Sequence, residues 1–136
     1  MSDRSLPRAE RLRSLGAIRR LFEQGRSGFV FPFRYIWLAE SAANDAGRPE
    51  VLFSVPKKYH KRANKRNLLR RRTKEAYRQQ KQLLAPGQTG TDLTMALIYT
   101  SKEALPYKHI ERAVVKILST IGEQMQTAGR QPDDLL

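Results

Sequence analysis

Basic side chains are concentrated in one segment, Lys57 to Lys81, which holds twelve lysine and arginine residues and a single acid, Glu75. If this segment is helical, one flank carries cations at i, i+4 spacing, namely Arg66, Arg70, Lys74 and Arg78, with Asn67, Arg71 and Lys81 beside them. Like charges at this spacing destabilise an isolated helix, so folding alone does not explain them. Rows of guanidinium and ammonium groups bind phosphates, and the pattern therefore indicates a surface for nucleic acid.

The rest of the composition describes a small domain around this cationic element. The chain has 136 residues and a formal charge of +13, of which the basic segment contributes +11, twelve bases less one acid. We expect one domain over residues 1–128, with a loose N-terminus at about 1–8 and a frayed tail at 129–136. Apolar runs fall far short of the roughly 20 residues of a membrane span, and the N-terminus has no apolar secretion segment, so we expect a cytoplasmic protein without membrane association.

The first third of the chain predicts a helix followed by strands. A short helix begins after Ser14, a candidate N-cap, and ends at Gly25, with an apolar face of Leu15, Ile18, Leu21 and Phe22. An aromatic residue at every odd position from Phe29 to Trp37 predicts two short strands with a break near Pro32. These aromatic side chains either pack in a core or form a stacking platform for bases, and both hypotheses stay open.

The remainder predicts strand, basic helix, strand and helix. We expect strands over 51–55 and 92–101, and the basic helix over 61–84 between them. That helix has an anchoring arc opposite its cations, made of Leu69, Thr73, Ala76 and Leu83. A last helix is predicted from Pro106, with one apolar face of Ile110, Val114, Ile117, Leu118 and Ile121. This order predicts a small α+β two-layer sandwich, with the helices mainly on one side of a mixed sheet.

No group of residues in the sequence can cleave or transfer anything alone. The chain has no cysteine, and its acids stand singly except Asp133 and Asp134, so neither thiolate chemistry nor a carboxylate cluster for catalytic metal ions is expected. His60 lies among lysines and arginines, where a phosphate contact is favoured over a general base, and His109 is interpreted as structural. We therefore assign no catalytic and no metal-binding residue to this chain.

The segment from Phe53 to Arg78 resembles the signature of the bacterial ribonuclease P protein subunit. In that family a strand ending in Ser-Val-x-Lys-Lys leads into a helix carrying Arg-Asn-Arg, then a basic pair, then Arg-Glu-x-Phe-Arg. The matching positions of this chain are Arg66 and Asn67, then Arg70 and Arg71, then Lys74, Glu75, Tyr77 and Arg78. The resemblance extends over about residues 10–125 and implies an αβββαβα order, with a left-handed βαβ crossover like that of a ribosomal-protein domain.

Three positions depart from the family pattern. Leu68 stands where the third residue of Arg-Asn-Arg is expected, Lys74 replaces an arginine, and Pro56 occupies a small-residue position before the lysine pair. The missing arginine at 68 removes one expected RNA contact. The additional Arg72 is a candidate to replace it.

The resemblance implies a ribonucleoprotein endonuclease that removes the 5′ leader of precursor tRNA. Its catalytic RNA subunit would hold Mg²⁺, and the protein would bind that RNA and grip the leader, with no obligate protein partner. The expected RNA-binding residues are Lys57, Lys58, Lys61, Arg62, Lys65, Arg66, Asn67, Arg70, Arg71, Lys74 and Arg78. The expected leader cleft consists of Ile18 and Phe22 on the first helix and Phe33 and Tyr35 on the facing strand.

Other functions compete with this interpretation. A structural RNA-binding protein of the ribosome with the same fold would bind RNA and assist no reaction. A DNA-binding regulator is disfavoured because the sequence has no helix-turn-helix spacing or dimerisation segment. A charge run can also be merely a solvated helix face or a disordered tail, but this one lies in mid-chain between apolar segments and is regularly patterned.

Overall fold

Three helices and four strands follow one another in the computed structural model, which describes residues 15–41, 49–84 and 91–128. In chain order they are α1 (Leu15–Gln24), β1 (Arg26–Val30), β2 (Phe33–Ser41), β3 (Glu50–Ser54), α2 (Ala63–Gln80), β4 (Thr91–Tyr99) and α3 (Tyr107–Ala128). A 3-10 turn, Lys81–Leu83, extends α2. The observed order is the predicted one, and the predicted element boundaries differ from the structure by only a few residues.

The strands form one mixed sheet with the spatial order β1-β2-β4-β3. β1 pairs antiparallel with β2, and β2 pairs antiparallel with β4. β3 pairs parallel with β4, and α2 connects these two strands. The predicted α+β class with a mixed sheet is therefore confirmed.

The predicted break near Pro32 is the turn between β1 and β2. The Phe31-Pro32 peptide bond is cis. The carbonyl oxygen of Pro32 accepts two hydrogen bonds from Thr100, one from the backbone N–H at 2.8 Å and one from Oγ1 at 2.9 Å. The turn is thereby attached to the end of β4.

The main core lies between one face of the sheet and the helices α2 and α3. Phe33, Tyr35 and Trp37 point into it from β2, so these three aromatic residues form a packed core and no stacking platform. The anchoring arc of α2 is buried at Leu69, Thr73 and Ala76. The predicted apolar face of α3 is buried at all five positions, Ile110, Val114, Ile117, Leu118 and Ile121.

α1 packs on the opposite face of the sheet. Leu21 is fully buried there against Ile36 of β2 and Ala96 of β4. Gly25 ends the helix, and its N–H donates to the carbonyl oxygen of Leu21 at 2.8 Å. A Cβ at position 25 would lie only 2.5 Å from that oxygen and 2.7 Å from Cγ2 of Ile36, so the close approach of α1 to β2 requires glycine.

Some expected features fall outside the described residues. They are the candidate N-cap Ser14, the loose N-terminus at 1–8 and the frayed tail at 129–136. Among the helices that the structure describes, none has the length and apolar character needed to cross a membrane.

Candidate nucleic-acid interface

The basic segment, Lys57 to Lys81, begins with a turn that packs against the end of β4. The N–H groups of Tyr59 and His60 both donate to the carbonyl oxygen of Pro56, at 3.1 and 3.3 Å. The imidazole of His60 is buried, and its Nε2 donates to the carbonyl oxygen of Ser101 at 2.8 Å. The expected phosphate contact by His60 is therefore wrong, because its ring is used to join the turn to the chain after β4.

Arg66 holds the same turn from the helix side. Its Nη1 donates to the carbonyl oxygens of His60 at 3.0 Å and Lys61 at 2.7 Å. The side chain is half-buried. At the first position of the family's Arg-Asn-Arg motif, this chain thus has a guanidinium that orders the backbone ahead of α2.

Four motif residues meet on the outer side of α2. Asn67 and Arg71 are exposed, while Arg70 and Lys74 are half-buried beside them. Nη1 of Arg70 donates to Oδ1 of Asn67 at 3.3 Å, which orients both side chains. The four residues line a shallow depression of about 340 Å³. We call these four residues the α2 cluster; the arrangement suits a phosphate, which takes hydrogen bonds from guanidinium and amide donors.

Two further arginines of α2 have partners within the protein, one ahead of α3 and one on α2 itself. Nη1 of Arg72 donates to the carbonyl oxygen of Leu105, ahead of α3, so this candidate to replace the arginine missing at position 68 has one of its donors engaged within the protein. Arg78 pairs with Glu75 through two hydrogen bonds, at 3.2 and 2.7 Å. The hydrogen bond to Glu75 is the main cause that raises the pKa of Arg78 above its ordinary value.

The remaining expected RNA-binding residues precede the α2 cluster or lie in the first turn of α2. All five are exposed: Lys57, Lys58, Lys61, Arg62 and Lys65. Nζ of Lys58 lies 5.1 Å from the centre of the Tyr59 ring, a cation–π contact. Together with the α2 cluster, they give the protein a continuous stretch of solvent-facing positive charge.

The expected leader cleft is only partly formed by the residues that were predicted for it. Ile18 of α1 is half-buried against the small core beneath the helix, and Phe22, one turn later, remains 48% exposed. Phe33 and Tyr35 point to the other face, into the main core, where they are 0% and 6% exposed. The Tyr35 ring also lies directly over Gly28, where a Cβ would come within 2.4 Å of it.

The prediction that Phe33 and Tyr35 line the cleft is therefore wrong. The residues of β2 that face α1 are shifted by one position along the strand. Successive side chains of a strand point to opposite faces, so a shift of one residue exchanges the two sets. The β2 residues on the side of α1 are Arg34, Ile36 and Leu38. Both sets are largely apolar, and the sequence period alone cannot decide which one meets the main core.

A row of four paired residues crosses the sheet on the side of α1. Phe29 of β1 pairs with Arg34, Arg34 pairs with Ile98 of β4, and Ile98 pairs with Ser54 of β3. We call these four residues the cross-strand row. Phe29 is 61% exposed and Arg34 is exposed, whereas the next row, which contains Ile36 and Ala96, is covered by Leu21.

Sequence reasoning missed the cross-strand row, although its first aromatic residue was visible in the pattern. Phe29 belongs to the same run of odd-numbered aromatics as Phe33 and Tyr35. The turn at Phe31-Pro32 changes the phase, so that Phe29 faces α1 while the aromatics of β2 face the main core. The proline in the middle of the run was the available indication of that change.

Acidic and histidine side chains do not assemble into a metal site in the described part of the chain. No three of them lie close enough together to hold a metal ion. Hard cations such as Mg²⁺ bind through carboxylate, carbonyl and water oxygens. A Mg²⁺ ion bound by the described side chains would therefore take most of its ligands from other groups, such as water.

The fold and this surface define a class of protein, a small α+β domain with a cationic helix beside a partly uncovered sheet face. A family model described as ribonuclease P matches residues 6–122. The ribonuclease P protein component of Porphyromonas gingivalis is 33% identical over 133 residues, covering 96% of this chain and 92% of the relative. That of Chlorobaculum tepidum is 33% identical over 124 residues, covering 82% and 79%. The chain belongs to the ribonuclease P protein family, whose members are components of an endoribonuclease of tRNA processing.

Solved structures of ribonuclease P proteins share the fold. The protein from Thermotoga maritima aligns with a TM-score of 0.60 at 22% identity, covering 82% of this chain and 97% of that one. The protein from Staphylococcus aureus aligns with a TM-score of 0.59 at 18% identity, covering 83% and 95%. The order of helices and strands and the mixed sheet are therefore common to these proteins.

Proposed function

We propose that this chain is the protein subunit of a ribonuclease P ribonucleoprotein, which removes the 5′ leader of precursor tRNA. The α2 cluster carries the proposal, because four residues at family motif positions lie together on the outer side of one helix. In this assignment the α2 cluster and the exposed lysines before it bind the catalytic RNA subunit. Their positive charge gives a binding energy that does not depend on RNA sequence.

The leader binds on the uncovered part of the sheet beside α1. The cross-strand row offers a phenyl ring at Phe29 for base stacking and a guanidinium at Arg34 for a phosphate. Ser54, at the other end of the row, is three residues before Lys57, so the row leads to the start of the basic segment. Stacking and phosphate attraction both tolerate any leader sequence.

The chemical step belongs to the RNA subunit. In this proposal the metal ions that activate water are held by RNA, and the protein alone is inactive. The protein raises the affinity of the complex for its substrate and lowers the concentration of Mg²⁺ that cleavage requires. Cleavage is a hydrolysis at the mature 5′ end of the tRNA.

The decisive experiment measures cleavage of a leader-bearing precursor tRNA by the cognate catalytic RNA at low Mg²⁺, with and without the protein. We expect cleavage at the mature 5′ end only when both components are present. Arg70→Ala/Arg71→Ala should impair this stimulation, whereas Lys102→Ala/Lys108→Ala, which removes two exposed cations elsewhere, should not. Tight RNA binding with unchanged cleavage would instead assign the chain to the structural RNA-binding proteins.

A further inference from the structure

A groove of about 330 Å³ lies at the opposite side of the sheet from α1, between the β1–β2 turn and the first half of α3. Phe31 and Pro32 from the turn and Leu105 from the segment before α3 form its apolar part. Its other wall is formed by α3, with His109, Arg112 and Lys116. Neither the α2 cluster nor the cross-strand row contributes to it.

Phe31 is held in an exposed position by a turn that is hydrogen-bonded to Thr100. The ring is 60% exposed, although most large apolar residues of this domain are buried. The turn cannot easily fold inwards, because Pro32 accepts two hydrogen bonds from Thr100. Leu105 is likewise held by hydrogen bonds, since its N–H donates to the hydroxyl of Tyr99 at 3.0 Å and its carbonyl accepts from Arg72.

The charged side chains that line the groove are both cations, and both lie on α3. Arg112 and Lys116 are exposed and lie one helical turn apart, with His109 one turn earlier on the same side of α3. No acidic residue lines the groove among the described residues. An apolar ring beside two cations is complementary to a ligand that is flat and aromatic at one end and anionic at the other.

We propose that this groove binds an unpaired nucleotide of RNA, with its base stacked on Phe31 and its phosphates bound by Arg112 and Lys116. This inference rests on the proposed function, because it adds a second contact for an RNA partner. An acidic peptide without an aromatic side chain would satisfy the cations and leave the phenyl face without a planar partner, whereas any nucleotide offers both a planar base and a phosphate. The hydrogen bond from Arg72 to Leu105 places the start of the groove next to α2, so one RNA can reach both surfaces.

The contribution of stacking can be measured with a fluorescently labelled, single-stranded RNA oligonucleotide and the full-length protein. Phe31→Ala should raise the Kd by about tenfold, within the range for loss of one stacked base. Phe31→Trp should keep the Kd near that of the wild type, because the larger ring retains a stacking face. Loss of affinity in both variants would contradict stacking.

The phosphate contacts have a separate readout, the slope of log Kd against log salt concentration. Arg112→Ala/Lys116→Ala should reduce this slope by about 1.4, roughly 0.7 for each phosphate released on single-stranded RNA. Lys102→Ala/Lys108→Ala removes the same charge from exposed residues that do not line the groove, and should change the slope by less than half as much. Equal slopes for the two double variants would overturn the assignment of phosphate contacts to Arg112 and Lys116.

Failure of this inference can be distinguished from failure of the proposed function. If Phe31→Ala and Arg112→Ala/Lys116→Ala bind RNA as the wild type does while precursor cleavage is stimulated, only the groove proposal falls. If the wild type neither binds RNA nor stimulates cleavage, both fall. A dimer in sedimentation that Phe31→Ala abolishes, with RNA affinity unchanged, would overturn the proposal and assign the groove to a second copy of the chain.

Discussion

Nη1 of Arg66 lies 3.0 Å from the carbonyl oxygen of His60, while the imidazole of the same histidine is hydrogen-bonded to the carbonyl of Ser101. The backbone carbonyl of His60 thus accepts a hydrogen bond from α2, and its ring donates one to the chain after β4. Arg66 consequently has a structural role that its position in a basic motif does not reveal. Its replacement should affect the folded state as well as RNA binding.

Arg66→Ala is expected to lower the free energy of unfolding by about 1–2 kcal/mol, because two hydrogen bonds from a charged, half-buried donor are lost. Arg70→Ala should leave stability within about 0.5 kcal/mol of the wild type and weaken RNA binding. Urea unfolding followed by circular dichroism gives the first quantity, and titration with the catalytic RNA gives the second. Equal stability of Arg66→Ala and the wild type would show that the turn does not depend on this guanidinium.

The cross-strand row predicts which β2 residues affect leader binding. Phe29→Ala and Arg34→Ala should each weaken binding of a leader-bearing precursor and leave binding of mature tRNA unchanged, since both side chains are exposed beside α1. Phe33→Ala should instead lower the free energy of unfolding by about 3–5 kcal/mol, because it empties a fully buried site. The Kd ratio of precursor to mature tRNA is the measurement, and an unaltered ratio in Phe29→Ala and Arg34→Ala contradicts the prediction.

The close packing of α1 on the sheet depends on Gly25. Gly25→Ala should lower the free energy of unfolding by about 1–3 kcal/mol, because its Cβ would overlap the carbonyl of Leu21 and Cγ2 of Ile36. Gly16→Ala, at an exposed position of the same helix, is the matched control and should not destabilise the protein. Thermal unfolding compares the two variants, and comparable melting temperatures for both would show that α1 shifts to accept a methyl group.

Alkaline pH should destabilise the protein through two tyrosines, Tyr99, which is buried, and Tyr107, which is half-buried. Burial raises the pKa of Tyr99 above its ordinary value of 10.0, and burial also raises the pKa of Tyr107. The unfolded chain therefore ionises first, so the stabilising contribution is complete below about pH 10 and is lost as pH rises through the folded-state pKa. The neutral Tyr99 hydroxyl is also needed to donate to the carbonyl of Glu103.

Melting temperatures measured across the alkaline range test this linkage. Tyr99→Phe should make the fall in melting temperature above about pH 10 shallower, because one of the two tyrosines no longer titrates. Tyr107→Phe is the parallel variant for the second hydroxyl, and the double variant should have the shallowest fall. An identical alkaline slope in all four proteins would refute the assignment to these tyrosines.

Much of the fold follows from local patterns in the sequence. The period of Ile110, Val114 and Ile117 gives both the existence of α3 and its buried face. Pro32 marks the end of β1 and the start of β2, because proline interrupts strand pairing. These features depend on near neighbours in the chain, so sequence reasoning finds them.

The roles of individual side chains depend on distant neighbours and were harder to predict. Arg72 and Arg71 are adjacent basic residues, yet one donates to Leu105 and the other is exposed. His60 lies among lysines in the sequence and is buried because Ser101 supplies an acceptor 41 residues later. The face of β2 that meets the main core was likewise decided by where α1, α2 and α3 pack, which no periodicity within β2 encodes.

The cross-strand row has a consequence for how this surface can vary. Its four side chains are spaced by the sheet itself, about 4.8 Å from strand to strand, and the main-chain ladder holds that spacing whatever the side chains are. Exposed members such as Phe29 and Arg34 can then be exchanged at little cost to the folded state. The backbone therefore fixes the distance between positions, and the side chains fix the chemical preference of each position. Related chains can change the second while the first stays constant.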